Sequence, residues 1–405
     1  MRLAALLLLT IVTLPAVAPP AAAQAPPEVT LEGRAVLPAD TFAPGPPSGT
    51  QLPPNQAING RTPPFPSQPV QGFSAVLRAD DGGYLAMPDN GFGAKDNSAD
   101  FLLRAYRIEP RFETTRGGAG TIEVGDFIEL RDPDRKIDFP IVNASGERLL
   151  TGADFDIESM RRDRRGDLWF GDEFGPFLLH TDATGRVREA PIALPGVKSP
   201  QNPTLAPGEQ PTLPRSSGFE GTALSKSRRY LYASLEGALI GDPDQRRRYI
   251  HTFDLRAGEY NDTPLQYRVE APGNVIGDLT AIDSDRLLLI ERDNLQGPAA
   301  RFKRIYEVDI TETGAEGFVS KRLVADLLQI RDPAGISLPA RAGDFGLGDP
   351  FLFPFQTIES VLPIGDRRLL ILNDNNYPFS AGRNPGRPDD NEAIVVHVPG
   401  LTDSE

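Results

Sequence analysis

Apolar and polar positions along the chain recur in a fixed order at least five times. In each copy an apolar residue is followed by Glu, Ser or Thr, then by a strand, a turn, a second apolar strand and an end rich in Asp and Asn. The copies span 73–90, 157–173, 219–236, 279–294 and 358–375. Internal repetition predicts an architecture of equivalent units. It also predicts that the polar residue of each copy occupies the same position, so that one site can be assembled from distant segments.

Each copy predicts a hairpin, and further strand segments follow most of the hairpins. Third strands are predicted at 102–108, 177–181, 248–255, 304–310 and 393–398, and weaker fourth strands at 121–130, 264–270 and 318–324. A hairpin with two further strands is the content of one propeller blade. The pattern therefore predicts an all-β fold, a β-propeller with five recognisable blades and space for a sixth near 110–150 or 185–215. An open array of β-sandwiches is the alternative.

The chain outside the repeats predicts a leader, an N-terminal strand and a short tail. Residues 1–23 combine a positive charge, an apolar run and small residues, as a cleaved signal peptide does, and this predicts a periplasmic or secreted protein. Residues 24–70 contain an alternating strand at 28–37 and a proline-rich loop, and the propeller domain is expected over 71–400, with a tail at 401–405. We expect the N-terminal strand to close the ring, because closure removes exposed sheet edges.

Charge and composition narrow the possible partners. The formal net charge of −14 argues against nucleic acid or an anionic membrane surface. The apolar run of the leader is too short to span a bilayer, so no membrane insertion is expected. The chain has no cysteine, which excludes disulfides, thiolate nucleophiles and cysteine-bound metals. A small anionic ester as substrate and a monomeric protein are expected.

The polar residue that opens each repeat is acidic in three copies, as Glu158, Glu220 and Glu359, and is Ser74 and Thr280 in the other two. Because the first strand of each blade lines the central channel, the three carboxylates should converge. They would repel one another unless a cation or a proton neutralised them. Oxygen ligands suit calcium or magnesium, and we expect a divalent metal, calcium, at this place. Alternatively, each glutamate bonds backbone amides of a neighbouring blade and locks the ring.

The ends of the second strands provide further candidate metal ligands. These are Asp89, Asp172, Asp293 and Asp374. Clusters of Asp, Asn and Gly are ordinary turn chemistry, which is the alternative for any one of them. Their recurrence at one blade position predicts that they open on one face and supply carboxylates around a cation.

Two arginines near these loops are candidates for holding an anion. Arg292 follows one second strand, and Arg383 lies in a loop-like segment after another. Arginine forks bind phosphate or carboxylate through two parallel hydrogen bonds. The alternative is a surface arginine that pairs with Asp389, Asp390 or Glu392.

Several of these segments, taken together, resemble the bacterial family called esterase-like activity of phytase. The resemblance covers about 71–399, and it is carried by the segments 72–76, 156–160, 218–221, 276–280 and 343–376. It implies an exported β-propeller that hydrolyses phosphoric or carboxylic esters. The pair Glu220-Gly221 is also similar to the metal-binding start of gluconolactonase-type propellers.

The leading hypothesis is an exported hydrolase of phosphoric esters, similar to a phytase or phosphatase. Metal-bound water would attack an ester anion at the channel mouth. Glu158, Glu220 and Glu359 would hold the cation, and Arg292 and Arg383 would bind the anion. A metal-dependent lactonase or carboxylesterase is one alternative. A non-catalytic periplasmic binding propeller is the other.

Overall fold

The computed structural model describes residues 27–401, and the predicted signal peptide lies outside them. Three strands precede the first repeat: β1 (Thr30–Leu37), β2 (Phe42–Ala43) and β3 (Gln68–Pro69). The described residues contain two single-turn 3-10 helices, Lys95–Asn97 and Gly297–Ala299. No helix among these residues is long and apolar enough to cross a bilayer.

The repeats fold into five successive antiparallel sheets, the blades. Blade 1 contains β4 (Ala75–Arg78), β5 (Tyr84–Met87), β6 (Arg104–Arg111) and β7 (Thr121–Glu129). Blade 2 contains β8 (Ile157–Arg162), β9 (Leu168–Asp172), β10 (Phe177–Thr181) and β11 (Ile192–Ala193). Blade 3 contains β12 (Phe219–Leu224), β13 (Tyr230–Leu235) and β14 (Arg247–Asp254), with β15 (Glu259–Tyr260) and β16 (Leu265–Arg268) both paired to β14. Blade 4 contains β17 (Val275–Ala281), β18 (Arg286–Arg292), β19 (Lys303–Thr313) and β20 (Val319–Asp326). Blade 5 contains β21 (Thr357–Gly365), β22 (Arg368–Asp374) and β23 (Asn391–His397), followed in the sheet by β1.

The first strands of the blades form a closed ring. In order around the centre, β4, β8, β12, β17 and β21 each contact the next, and β21 contacts β4. The fold is a β-propeller with five blades among the described residues. The two segments that could have held a sixth blade are used otherwise, since 110–150 supplies β7 and loops and 185–215 supplies β11.

The N-terminal strand closes the ring, as predicted. β1 pairs antiparallel with β23, from Thr30 opposite His397 to Leu37 opposite Asn391. It also contacts blade 1 through a parallel pair between Val36 and Thr121. The outermost strand of blade 5 therefore comes from the opposite end of the chain, which protects the last sheet edge.

Apolar side chains pack between neighbouring blades. The described residues form five buried clusters, one at each blade interface. Between blades 1 and 2, for example, Leu85 and Met87 pack with Met160 and Phe170. Each blade is thus covered on both faces by its neighbours, and the centre of the ring is left to polar side chains.

Candidate functional site

The pairing of the first two strands of each blade defines two rings of side chains. In blade 2, Ser159 on the first strand pairs with Gly171 on the second. Glu158 lies one residue before Ser159, and Glu173 lies two residues after Gly171, so both lie at the same end of the hairpin. The same register places equivalent residues in every blade. The first-strand ring is Ser74, Glu158, Glu220, Gly277 and Glu359. The second-strand ring is Asp89, Glu173, Glu236, Arg292 and Asp374.

A β-bulge marks the position of the first-strand ring in blades 2 to 5. The register shifts by one residue across Glu158, Glu220, Gly277 and Glu359. A bulge leaves its extra residue unpaired and changes the direction of the side chain. The three glutamates are therefore turned toward the centre, where they line one cavity.

All five members of the second-strand ring line the same cavity, which measures about 130 Å³. Asp156 lines it as well, next to Glu158. Asn90, Ser216, Thr357 and Asn376 supply uncharged polar groups. Eight carboxylates thus surround one small space, and Arg292 is the single cationic side chain among the lining residues.

Blade 4 departs from the others at both ring positions. Its first-strand residue is Gly277, and a Cβ added there would lie 2.4 Å from the carbonyl oxygen of Ile358 and 3.3 Å from Nε of Arg292. The space that a side chain at position 277 would need is therefore occupied by the backbone of Ile358 in blade 5 and by the guanidinium group of Arg292 in blade 4. Glycine at this position lets Arg292 reach the centre of the ring.

Arg292 is buried and contacts glutamates of two neighbouring blades. Its Nη2 lies 2.7 Å from Oε1 of Glu359 and 3.4 Å from the Oε1 atoms of Glu220 and Glu236. Ser74 donates a second hydrogen bond to Glu359, at 3.2 Å. Three carboxylates on the blade 3 to blade 5 side of the cavity thus share one cationic side chain, which compensates part of their charge.

The blade 2 side of the cavity has no such partner. Buried oxygens of Asp156, Glu158 and Glu173 (Oδ1, Oε2 and Oε1) accept no hydrogen bond. The three side chains are at least nine-tenths buried. A buried carboxylate oxygen without a partner is costly, so these atoms indicate a bound cation or proton.

Burial and mutual repulsion set the pKa values of the cavity. Burial raises the pKa of Glu158 well above its usual range, and the charges of Asp156 and Glu220 raise it further. The pKa of Glu173 is raised well above its usual range by burial and by Glu236. Burial also raises the pKa of Asp89 to about 6. When no cation is bound, burial and mutual repulsion thus favour the protonated forms of these groups.

The residues fit a hard divalent cation. Ligand oxygens of Asp89, Asp156 and Glu158 lie within 4.8 Å of one another, and those of Glu158, Glu220 and Glu359 form a second such group. Calcium and magnesium bind through carboxylate oxygens of this kind. Since the unpaired oxygens belong to Asp156, Glu158 and Glu173, the first group is the better fit, and Glu158 is common to both.

A buried ion pair crosses the axis below the first-strand ring. Arg161 of β8 lies 3.1 Å from Oδ1 of Asp278 on β17 and donates to the carbonyl of Leu279 at 2.6 Å. The other oxygen of Asp278 accepts the amide of Val361 on β21, at 2.9 Å. These contacts join blades 2, 4 and 5 on the side of the hairpin turns, below the acidic cavity.

The structure brings most of the predicted site residues together. The members that line the cavity are Glu158, Glu220, Glu359, Asp89, Asp374 and Arg292. Asp172 does not line it. It accepts the amides of Asp156 and Gly175, at 2.8 and 2.7 Å, because it precedes Glu173 by one residue and neighbouring strand residues face opposite sides.

Two further predicted residues lie outside the cavity. Asp293 follows the ring residue Arg292 and forms an ion pair with the buried Lys303, at 3.0 Å. Arg383 is buried against Glu392, at 2.8 Å, and donates to the carbonyl of Phe345. The predicted pairing of arginines at an anion site is therefore replaced by one central arginine that contacts three glutamates.

Three lining acids were absent from the prediction, namely Asp156, Glu173 and Glu236. Glu173 and Glu236 each follow the last residue of a second strand, so counting from the strand end would have found them. The expectation that Thr280 opens the fourth repeat is wrong, because the bulge falls at Gly277.

The family model described as Phytase-like, esterase-like activity of phytase, matches residues 68–377. No curated protein matches.

Solved propellers are similar to the chain at low sequence identity. The PQQ-bound aldose sugar dehydrogenase of Streptomyces coelicolor is 11% identical, with 92% of this chain and 100% of that chain covered and a TM-score of 0.36. Virginiamycin B lyase of Staphylococcus aureus is 11% identical, with 81% and 95% covered and a TM-score of 0.33. A protein described as a putative gluconolactonase is 14% identical, with 81% and 75% covered and a TM-score of 0.31. Because these scores are low, the assignment of the fold depends on strand order and pairing.

Proposed function

The chain belongs to the phytase-like family, and on this basis we propose that it is a cation-dependent hydrolase of phosphoric esters. The observation that carries the proposal is the set of unpaired, buried carboxylate oxygens on Asp156, Glu158 and Glu173. The leader-like residues 1–23 support export to the periplasm or the medium.

Asp89, Asp156 and Glu158 would hold the cation, which we take to be calcium. A divalent cation bound there would act as a Lewis acid on the ester and lower the pKa of water. Glu220 and Glu359 would keep their contacts with Arg292 and fix the position of Glu158 from the other side of the cavity.

Glu173 is the candidate proton donor for the leaving group. It lines the cavity, it has an unpaired oxygen, and its pKa is raised well above the usual range by burial and by nearby acids. A protonated carboxyl at this place would give its proton to the leaving oxygen as the ester bond breaks, and would regain one from the attacking water.

Arg292 is already paired with glutamates and therefore contributes little to the binding of an anionic substrate. Its guanidinium contacts three glutamates, so an anionic ester must gain most of its attraction from the cation and from polar groups such as Asn90, Ser216 and Asn376. The same observation favours a second candidate function, hydrolysis of lactones or carboxylic esters, which bring no charge into the cavity.

The test is hydrolysis by the full mature chain, first treated with EDTA and then supplied with calcium or magnesium. Phosphate release from a panel of phosphomonoesters is measured beside hydrolysis of uncharged esters and lactones. The expected result is phosphate release that needs the cation and is lost in Glu158→Gln. Turnover of the uncharged substrates alone would select the second candidate, and no turnover with any cation would exclude both.

The role of Glu173 is tested by Glu173→Gln with two phosphoric esters that differ in leaving group. Loss of a proton donor should slow an alkyl phosphate by about 100-fold or more and a nitrophenyl phosphate much less, because nitrophenolate leaves without a proton. An equal loss on both esters would assign Glu173 to the binding of the cation instead.

A further inference from the structure

A second cavity lies between blades 2 and 3, at the face of the hairpin turns. It measures about 700 Å³, within the size range of small-molecule sites. Its walls are the turn between β8 and β9, the turn between β12 and β13, and the turn between β14 and β15. Trp169 and Phe253 form its apolar floor. We refer to it as the arginine groove.

The groove is strongly basic in an otherwise acidic protein. Its lining contains Arg164, Arg165, Arg228, Arg229 and Arg256. The acids among the lining residues are Asp163 and Glu189. A cluster of this sign in a chain with a net charge of −14 requires its own explanation.

Among the residues that the structure describes, four of the five arginines have no carboxylate partner. Arg164 and Arg228 donate only to the backbone carbonyls of Ser227 and Asp163, at 2.8 and 3.3 Å. Within residues 27–401, the guanidinium groups of Arg165 and Arg256 make no hydrogen bond or ion pair. Only Arg229 is neutralised locally, by Asp254 at 2.6 Å.

The two acids of the groove are already engaged. Asp163 accepts the backbone amides of Arg165 and Asp167, at 2.7 and 3.1 Å, as part of its turn. Oε1 of Glu189 is hydrogen-bonded to Nδ1 of His180, at 2.7 Å. The His180 ring stacks on Trp169, with ring centroids 4.0 Å apart. Among the described residues, neither acid forms an ion pair with an arginine of the groove.

We propose that the arginine groove is a binding site for a small molecule that carries two or more phosphate groups. Several guanidinium groups from three turns converge on one cavity. A phosphate group has enough charge and enough oxygens to accept more than one guanidinium fork, whereas a carboxylate accepts one. The groove is a concave space of about 700 Å³ between exposed turns of two blades, which suits a small molecule better than a duplex or a membrane surface.

The arginine groove is separate from the acidic cavity. Strand β9 connects them, with Trp169 in the groove and Glu173 in the cavity, and an extended strand places these residues roughly 13 Å apart. The ligand of the groove does not reach the acidic residues, so the inference does not depend on the proposed function.

Trp169 is the single tryptophan of the chain and lines the groove, so its fluorescence reports on binding there. The experiment titrates tripolyphosphate into the full mature chain after EDTA treatment, with calorimetry as a second measurement. The double variant Arg165→Gln/Arg256→Gln removes two guanidinium groups that make no internal contact. Arg116→Gln is the matched control, an exposed arginine in the turn between β6 and β7 whose side chain is also unpaired.

The expected result is a saturable fluorescence change that weakens at higher salt. The double variant should bind about tenfold more weakly or worse, and Arg116→Gln should bind as the native protein does. The inference is overturned if neither measurement detects binding, or if the double variant binds with unchanged affinity. Tighter binding of citrate than of tripolyphosphate would overturn the assignment to phosphate.

Discussion

Blade 4 and blade 2 place different chemistry at the same two backbone positions. Blade 2 has Glu158 at the bulge and Glu173 after the second strand, whereas blade 4 has Gly277 and Arg292. The arginine compensates acids that reach it from blades 3 and 5, and the acids of blade 2 keep unpaired oxygens. A near-symmetric ring thus has one side whose acids share an internal arginine and one side whose acids keep oxygens without a partner among the described residues.

The difference shows how equivalent backbone positions in a propeller can carry opposite charges. Every blade places two residues at the centre by the same register, and the exchange of two glutamates for Gly and Arg in blade 4 decides which acids have a cationic partner.

The largest effect is expected for Arg292→Met, measured by urea denaturation after EDTA treatment. The variant leaves Glu220, Glu236 and Glu359 buried around an apolar side chain, which should lower the free energy of unfolding by about 3–5 kcal/mol. Arg162→Gln is the control, because its ion pair partner Asp80 is almost fully exposed, and its unfolding should be unchanged within error. A similar response of the two variants would contradict a special role for Arg292.

The second prediction compares Glu158→Gln with Glu220→Gln. Glu158 has an unpaired oxygen, whereas Glu220 contacts Arg292, so loss of Glu158 should weaken calcium binding by about 100-fold or more and loss of Glu220 by about tenfold or less. The measurement is the rise in melting temperature with calcium concentration. If Glu220→Gln were the more damaging change, the cation would belong on the Arg292 side.

A smaller effect is expected for Gly277→Ala. The added methyl group would lie 2.4 Å from the carbonyl oxygen of Ile358, so strand β17 or β21 must shift, at a cost of about 1–3 kcal/mol in thermal or urea unfolding. Gly273→Ala precedes the same strand and meets no atom within 4 Å, so it serves as the control. Equal stability of the two variants would show that blade 4 does not need glycine at the bulge.

The smallest effect is a change in the pH dependence of stability. Burial raises the pKa of Glu236 from 4.5 to about 7. Between these values the folded state holds a proton that the unfolded state releases, so the free energy of unfolding falls as pH rises, by at most about 1.4 kcal/mol per pH unit.

Glu236→Gln should therefore flatten the decline in stability between pH 4.5 and about 7 in EDTA-treated protein. Urea denaturation of both proteins across this range measures the two slopes. Parallel curves for the variant and the native protein would mean that Glu236 does not hold the proton.

Much of the fold follows from local sequence patterns. Alternating apolar residues and turn residues mark the hairpins, and the five apolar starts mark the blades. The pairing of β1 with β23 follows from the need to cover a sheet edge, which is a general requirement rather than a property of any residue in these strands.

The finer geometry of the site depends on single-residue register, which periodicity does not reveal. A bulge adds one residue to one strand, and a shift of one residue moves every side chain to the other face. This is why Asp172 and Asp293 were expected in the cavity, whereas their neighbours Glu173 and Arg292 line it, of which only Arg292 was predicted. Arg383 pairs with Glu392, one of the acids expected as its alternative partners, but the pair is buried rather than at the surface.

The ion pair between Arg161 and Asp278 bears on how small molecules enter and leave the acidic cavity. It joins blades 2, 4 and 5 below the acidic cavity, and both of its side chains are buried. In the proposed hydrolase, a substrate that does not pass this ion pair would share one opening with its products, and product would have to leave before the next substrate enters. Inhibition by phosphate or by the liberated alcohol would then act at product release.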